Sequence, residues 1–367
     1  DYTITKIEKG KRRRQPSPPF ITSTLQQDAS RAFGFSATRT MRAAQTLYEG
    51  MDIAGHGTVG LITYMRTDSL RIAAEAQAAA KTFIAERWGD NYVCKTARKW
   101  KSRSATAAQD AHEAIRPSSV TLTPEQVKGD LTGEQYRLYR LIWSRFLASQ
   151  MANAVYDSVS VDIAAGEHAF RASASSLKFA GYTAVYEESR DDDKEEKEPT
   201  LPDLKEGEPL TLKDFAPAQH FTTPPAHYTE AALIRAMEEQ GIGRPSTYAP
   251  TVSTILDREY VVKEGKYLHI TNLGRVVTQL MEERFSDIAD LKFTANMEQR
   301  LDDVEEGKLP WKQVLRQFYD DGFAQHLTDA EAGDYIRPEP TVSDELCPVC
   351  GRNPVSYTHL RAHETGA

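Results

Sequence analysis

The sequence has few cysteines and no long apolar segment. Its 367 residues include three cysteines, Cys94, Cys347 and Cys350, which are too few and too unevenly spaced for a disulfide framework. No apolar run approaches the roughly 20 residues that cross a bilayer, and the N-terminus lacks the pattern of a signal peptide. These absences exclude a disulfide-stabilised secreted domain and a membrane-spanning protein, and they predict a cytoplasmic protein without a membrane partner.

The phosphate-binding loops of nucleotide-dependent enzymes are missing as well. Gly241 and Gly243 have neither the glycine spacing of a dinucleotide fingerprint nor the Lys-Ser/Thr pair of a Walker loop. The pair His112 and Glu113 lacks the second histidine of a zinc-protease motif. The sequence therefore predicts no nucleotide partner and no metalloprotease activity.

The negative charge is concentrated in one segment. The formal net charge is −8, and residues 187–208 alone hold eleven acids and four bases, so the rest of the chain is close to neutral. The Pro, Glu and Lys content of this segment is typical of a mobile loop or linker. Two basic strips, 9–14 and 95–103, the second around Trp100, suit either phosphate contact and base stacking or a solvated surface.

The order of the local patterns predicts an α+β protein with several domains. Alternating residues predict strands at 1–9, 158–163, 168–174 and 208–215. Helical periodicity dominates about 24–88, 124–151 and most of the chain after 229. Since the first strand can pair with the strands after residue 150, we expect a helical block inserted in a β-rich domain.

Local signals place several boundaries within these blocks. Ser36 is suited to cap a helix that ends at Glu49, and Asp68 or Ser69 is suited to cap an Ala-rich helix that ends at Trp88. The residues between these helices, 59–65, predict a short strand.

The first candidate site lies at the end of that strand. Tyr64 and Arg66 would point the same way on a strand, so a phenol and a guanidinium can meet one phosphate. A tyrosine with a pKa of about 10 becomes a useful nucleophile when a cation stabilises its phenolate and the charge developing on phosphorus. Thr67, Asp68 and Ser69 follow, with amides that can accept a phosphate. A Tyr-x-Arg pair is also common in purely structural strands.

The second candidate site is the stretch from Gln109 to Pro117. His112 and Arg116 are four residues apart, so on one helical turn they share a face, and Pro117 ends the helix. Together they suit the binding of phosphate oxygens or proton transfer to a leaving hydroxyl. A capped, solvated helix end is the alternative.

The third candidate site lies around residues 240–258. Two glycines allow close backbone approach, and Pro245 and Ser246 open a helix whose N-terminus favours an anion, with Arg244 beside it. Contact with a DNA backbone and a structural turn are both open.

Three motifs in this order resemble bacterial type IA DNA topoisomerase I. They are Ile62-Thr-Tyr-Met-Arg-Thr-Asp-Ser69, Asp110-Ala-His-Glu-Ala-Ile-Arg-Pro117, and Tyr228-Thr-Glu-Ala with Gly241-Ile-Gly-Arg-Pro-Ser-Thr-Tyr248. Phe20-Ile-Thr-Ser-Thr-Leu-Gln-Gln-Asp-Ala29 and Phe293-Thr-Ala-Asn-Met-Glu298 extend the resemblance to about residues 1–350. The ordered set is far more specific than any one motif.

The resemblance implies a fragment of a toroidal enzyme, with a mobile helical domain inserted in a β-rich arch and a helical domain at the base. The implied arch comprises 1–19 and 151–226, with the acidic loop 187–208 in its second part. The implied helical domain with the nucleophile is 20–150, the helical DNA-binding domain is 227–335, and a truncated zinc ribbon with an atypical tail occupies 336–367.

The resemblance also implies the activity and the roles of the site residues. The activity would be ATP-independent relaxation of negatively supercoiled DNA, by cleavage of one strand, strand passage and religation. Tyr64 would hold the 5′ phosphate, Arg66 would stabilise the transition state, and His112 would act in the scissile region. The implied DNA contacts are Thr67, Asp68 and Arg116 near the cut and Gln240, Arg244, Ser246 and Arg258 upstream of it.

Two departures from the family concern metals. The Toprim domain, which supplies the family's magnesium cluster, would precede Asp1, so we expect a fragment that relaxes DNA poorly by itself. Cys347 and Cys350 resemble half of the family's zinc ribbon and are candidates for Zn²⁺, but the second cysteine pair is replaced by a tail with His359 and His363. The expected partner is single-stranded and negatively supercoiled DNA, bound by a monomer.

Other classes of function stay open at this point. A non-catalytic single-stranded DNA-binding module would use the same basic strips without needing Tyr64. A tyrosine recombinase would attach to the 3′ phosphate instead of the 5′ phosphate. A topoisomerase III-like decatenase shares the motifs, although the cysteine pair after residue 340 favours topoisomerase I.

Overall fold

The structure is a computed structural model that describes residues 2–96, 98, 100, 112–187, 201–333, 341–342 and 355–356. The chain divides into two compact units, Asp1–Ala226 and His227–Ala367. Within the described ranges, no helix is both long and apolar enough to cross a membrane.

The first unit combines a sheet with a block of helices. Its strands are β1 (Tyr2–Arg14), β2 (Met51–Ile53), β3 (Gly57–Val59), β4 (Ala154–Ala165), β5 (His168–Phe179) and β6 (Pro209–Leu210). Its helices are α1 (Thr22–Phe33), α2 (Ala37–Glu49), α3 (Ala74–Trp88), α4 (Pro124–Val127) and α5 (Gly133–Gln150).

The main sheet confirms the expected pairing of distant strands. Its order is β5-β4-β1-β6, and β1 runs antiparallel to β4 from Thr3, opposite Ala164, to Arg14, opposite Ala154. The chain therefore leaves the sheet at Arg14 and returns beside the same point at Ala154. In the sequence, helices α1 to α5 come between β1 and β4, which are neighbours in the sheet. The helical block is therefore an insertion in a β-rich region.

Helix α5 anchors the core of the helical block. Leu138, Ile142 and Phe146 are buried on its inner side, as its 3.6-residue period predicts. Two polar groups in the same core have partners, since the Tyr139 hydroxyl donates to the Leu122 carbonyl at 2.6 Å and the Trp143 indole donates to the Val120 carbonyl at 3.0 Å. Both rings can therefore be buried without leaving a polar atom unsatisfied.

Side-chain capping determines where two of the helices in the first unit begin. The Ser36 hydroxyl accepts from the Arg39 amide, and α2 ends at Glu49 as predicted. The single helix predicted over 124–151 is wrong, because α4 ends at Val127 and Thr132 caps a new helix, with its hydroxyl accepting from the Gln135 amide.

The Ala-rich helix also starts later than predicted. Asp68 and Ser69 do not cap it, and α3 begins only at Ala74. The Thr67 hydroxyl accepts from the Ser69 amide at 3.0 Å, and the Ser69 hydroxyl accepts from the Arg71 amide at 3.2 Å. These short-range turns compete with the helix and keep 67–71 outside it.

The second unit is mostly helical. Its elements are α6 (Glu230–Glu239), α7 (Tyr248–Asp257), the hairpin of β7 (Val261–Glu264) and β8 (Tyr267–Ile270), α8 (Asn272–Arg284), α9 (Ser286–Ala289), α10 (Leu291–Glu305), α11 (Trp311–Phe318) and α12 (Ala324–Ala332). A π-helical turn at Tyr319–Phe323 separates α11 from α12 within the region of predicted helical periodicity after residue 229. Gly274 packs so closely that a Cβ there would lie 2.1 Å from the Tyr260 carbonyl oxygen.

Candidate functional site

The Tyr64 ring contacts two other rings in the first unit. Its ring centroid is 5.4 Å from that of Tyr48, at the end of α2, in an edge-on arrangement. The centroid of the His112 ring lies 5.1 Å from that of Tyr64, with the two ring planes tilted by 32°. Tyr64 is half-buried, so these neighbours hold the ring while part of it stays accessible.

Backbone contacts bring the Tyr64 segment and the His112 segment together. The Thr63 amide donates to the Arg116 carbonyl at 2.9 Å, and the Thr63 hydroxyl donates to the Ala114 carbonyl at 2.8 Å. Isolated bridges pair Ile62 with Pro117 and Phe20 with Ile115. Motifs that are far apart in the sequence thus form one site.

The regular strand predicted over 59–65 is wrong. Strand β3 ends at Val59, and the chain bends at Thr63, Met65 and Arg66. The backbone groups of this segment bond to α2 through Leu47 and to Arg116 instead of continuing the ladder of β3. The simple alternation that aligned Tyr64 with Arg66 therefore does not apply, although Arg66 is exposed beside the half-buried Tyr64.

The residues after Arg66 are more enclosed. Thr67 and Ser69 are buried and Asp68 is half-buried. The Thr67 hydroxyl already accepts the Ser69 amide, so this amide is used within the turn. Of this segment, the Arg66 guanidinium is the group most open to a ligand.

The helical turn predicted to hold His112 and Arg116 is also wrong. Pro117 and the bridges of Ile115 and Pro117 keep this segment extended. His112 contacts Tyr64, whereas Arg116 donates to the Glu113 carboxylate at 2.8 Å and to the Pro117 carbonyl at 3.0 Å. Arg116 also lines a cleft of about 620 Å³ against α3, so the two side chains diverge.

The Glu113 carboxylate is ionised in this arrangement. Burial by itself raises its pKa, but the hydrogen bond from Arg116 and a backbone hydrogen bond at Ala73 outweigh burial, so the pKa of Glu113 lies below its usual value. The Arg116 charge is therefore partly neutralised within the fold.

The third candidate site belongs to the second unit. Helix α7 begins at Tyr248, later than the predicted Ser246, because the Thr247 hydroxyl accepts the Arg244 amide at 2.8 Å and closes a turn. The Arg244 guanidinium donates to Asp302 at 2.7 Å and lies 3.6 Å from Glu298, both on α10. The exposed members of the predicted set are Gln240, Ser246 and Arg258.

The two basic strips differ in structure. Lys9, Lys11 and Arg13 are exposed on β1. In the second strip, Arg98 donates to the Ser149 carbonyl and to the Asn153 side chain, each at 2.7 Å, so it ties this segment to the end of α5. Residues 97, 99 and 101–103 of that strip lie outside the described residues.

The metal predictions fall largely outside the described ranges. Cys347, Cys350, His359 and His363 are not among the described residues. Within the part of the chain that the structure describes, no group of three or more His, Cys, Asp or Glu side chains could hold a metal ion. The zinc and magnesium assignments stay predictions.

Sequence reasoning missed Tyr48, Thr22 and Thr63 as parts of the site. Thr22 lies in the stretch from Phe20 to Ala29, which extended the family resemblance without a role for any residue. Tyr48 is an exposed residue in the last turn of α2, and Thr63 directly precedes Tyr64. Their contacts depend on tertiary pairing, which local periodicity does not encode.

Comparison with known proteins completes these observations. Residues 1–316 match the profile of a family described as DNA topoisomerase. The structure also matches full-length topoisomerase I from Thermotoga maritima, with a TM-score of 0.80 and 36% sequence identity. The match covers 98% of this chain and 57% of the Thermotoga chain, so this sequence spans little more than half the length of that protein.

Proposed function

Because this chain belongs to the bacterial type IA DNA topoisomerases, we propose that it supplies the nucleophile for relaxation of negatively supercoiled DNA without ATP. The observation that supports the proposal is the setting of Tyr64. Its half-buried ring is held by Tyr48 and His112, and the exposed Arg66 follows two residues later. The proposed substrate is a single strand exposed in supercoiled DNA, bound by a monomer in the cytoplasm.

The proposed step exchanges one phosphodiester for another. The Tyr64 hydroxyl oxygen attacks phosphorus and forms a new P–O bond, while the bond from phosphorus to the 3′ oxygen breaks. Tyr64 loses its proton, and the departing 3′ oxygen gains one. The products are a 5′-phosphotyrosine and a free 3′-hydroxyl, which rejoin by the reverse reaction after strand passage, so no ATP is needed.

The site residues divide these tasks. Contact of the His112 ring fixes the orientation of the Tyr64 ring, and its imidazole is suited to proton transfer near the leaving oxygen. The Arg66 guanidinium stabilises the negative charge that grows on the phosphate oxygens. Asp68 and Arg116 are the proposed side-chain contacts to DNA near the cut, whereas the buried Thr67, which the resemblance also implies as a contact, has its hydroxyl engaged with the Ser69 amide.

The second unit provides the proposed upstream contacts. Gln240, Ser246 and Arg258 are exposed and can bind the backbone of a single strand. Arg244 would share its guanidinium between a phosphate and its carboxylate partners on α10.

A covalent-adduct assay tests the proposal. The chain is mixed with a separately expressed Toprim fragment of this family, Mg²⁺ and a 3′-end-labelled single-stranded oligonucleotide, and the products are separated on a denaturing gel. We expect label to migrate with the protein, because a 5′-phosphotyrosine retains the 3′ part of the strand. Tyr64→Phe removes the nucleophilic oxygen and abolishes the adduct.

Tyr136→Phe is the matched control, because Tyr136 is also half-buried in the first unit and has no role in the proposed site. An adduct that persists in Tyr64→Phe contradicts the assignment of the nucleophile. Label retained only from a 5′-labelled strand would instead indicate 3′ attachment, as in a recombinase. Oligonucleotide binding without any adduct would favour the non-catalytic DNA-binding module.

A further inference from the structure

Thr22 makes an unusual set of contacts with the segment after the proposed nucleophile. It is the first residue of α1 and is fully buried. Its hydroxyl oxygen lies 2.8 Å from the Met65 carbonyl oxygen and accepts the Thr67 amide at 2.9 Å. Its own amide donates to the Thr67 carbonyl at 2.9 Å. Thr22 is thus bonded to the chain on both sides of Arg66.

The chemistry of a hydroxyl assigns the direction of these bonds. A threonine hydroxyl has one proton and two lone pairs. The Thr22 hydroxyl lies closest to the Met65 carbonyl, at 2.8 Å, with the Thr67 carbonyl at 3.0 Å as a second acceptor for its proton, while a lone pair of the hydroxyl accepts the Thr67 amide. The Thr22 amide is available because the first amides of a helix have no partner within it. All these groups are therefore satisfied together.

This arrangement fixes the backbone at Arg66. The Met65 carbonyl and the Thr67 amide belong to the peptide groups that flank Arg66, so holding both restricts its φ and ψ. Among the described residues, the Arg66 side chain has no hydrogen-bond or ion-pair partner, and it is exposed. The fold therefore sets the direction of the Arg66 guanidinium through the Arg66 backbone.

We propose that Thr22 is a positioning residue for strand cleavage, because its hydroxyl sets the backbone of Arg66 and so directs the guanidinium to the phosphate attacked by Tyr64. The inference rests on the function proposed above. Thr24 shows the contrast within the same helix. Its hydroxyl accepts the Ile21 amide at 3.0 Å and donates to the Ile21 carbonyl, which is a local cap with no contact to the Arg66 segment.

The test compares hydroxyl removal at these two threonines. Thr22→Val, Thr22→Ser and Thr24→Val are measured for the rate of adduct formation, for oligonucleotide affinity and for thermal unfolding. We expect Thr22→Val to slow adduct formation by about 10- to 100-fold, as misplacement of a catalytic group does. Thr22→Ser should restore the rate, and Thr24→Val should stay within about twofold of the parent chain in rate.

A double-mutant cycle separates positioning from loss of stability. If Thr22 acts through Arg66, then Thr22→Val should slow adduct formation much less in an Arg66→Ala background than in the parent chain. Equal slowing in both backgrounds would overturn the proposal. So would a folded Thr22→Val chain with the parent rate, or a Thr22→Ser chain as slow as Thr22→Val.

Amide hydrogen exchange tests the role of Thr22 independently of adduct formation. The Thr67 amide should exchange slowly in the parent chain and in Thr22→Ser, and at least tenfold faster in Thr22→Val, or in Thr22→Cys if Thr22→Val does not fold. Unchanged exchange at Thr67 would overturn the inference even if adducts form. Absence of adduct in the parent chain would count against the proposed function alone, and the exchange result would still decide the role of Thr22.

Discussion

Loss of Arg145 should destabilise the first unit more than loss of any exposed arginine. Arg145 on α5 is almost fully buried, and its guanidinium lies 3.3 Å from the Asp28 carboxylate and 2.9 Å from the Tyr186 hydroxyl. It also donates to the Pro18 carbonyl at 2.6 Å. The Tyr186 hydroxyl donates to Asp28 as well. Arg145 therefore links α5 to α1, to the segment that enters the helical block and to the segment that follows β5.

The magnitude follows from the burial of the charges. Arg145→Met keeps most of the apolar stem but removes the more deeply buried of the two cations at Asp28, leaving the buried carboxylate with Arg31 at 3.5 Å, and this costs about 3–5 kcal/mol. For a folding unit of this size each kcal/mol lowers the Tm by about 2–4 °C. The expected decrease is therefore about 6–20 °C. Tyr186→Phe removes only a hydroxyl and should cost about 1–3 kcal/mol.

Calorimetry of the full chain measures these shifts, because the two units can give separate transitions. Arg39→Met is the control, since Arg39 also pairs with a glutamate, Glu134, but both side chains are about half exposed. A Tm decrease for Arg145→Met no larger than that for Arg39→Met would refute the reasoning. The double variant Asp28→Asn with Arg145→Met should lose less than the sum of the single variants, because the uncompensated charge is gone.

Two further predictions concern pH and packing. Burial raises the pKa of both Tyr139 and Tyr186 above the value of about 10 in the unfolded chain. The stability that these buried hydroxyls contribute is fully present below about pH 10, so the Tm of the first unit should fall as the pH rises above about 10, and less steeply in Tyr139→Phe. A slope unaffected by Tyr139→Phe would contradict this. Gly274→Ala should lower the Tm of the second unit by several degrees, because its Cβ would collide with the Tyr260 carbonyl, whereas Gly322→Ala has open space and should have little effect. Equal Tm values for these two variants would show that the chain accommodates the collision.

Local sequence signals were sufficient where the local groups also make the decisive contacts. Ser36 caps α2 with its own hydroxyl, which accepts the Arg39 amide as predicted. The strand ladder between β1 and β4 was predictable because both segments alternate and flank the helical block. In each case the residue that gives the signal is also the residue that forms the bond.

The same signals failed where tertiary contacts take over the backbone. The apolar run ending at Met65 looks like a strand, but its amides and carbonyls bond to Leu47, Arg116 and Thr22. His112 and Arg116 have helical spacing, but pairing of Ile115 with Phe20 keeps them extended. Tyr64 contacts His112 because the Tyr64 segment bends and the His112 segment is extended. Sequence spacing could therefore indicate the candidate residues but not their arrangement in space.

The electrostatic setting of the arginines divides them into two kinds. Arg116 and Arg244 have carboxylate partners in the fold, Glu113 for the first and Asp302 with Glu298 for the second. A phosphate at either site would replace or share an anion, so the net gain in attraction is smaller than for an unpaired cation. Arg66 and Arg258 are exposed, and a phosphate there displaces only water and counterions. The salt-dependent affinity for DNA should therefore come mostly from the exposed arginines. The paired arginines instead hold their own segments in place, whether or not a strand is bound.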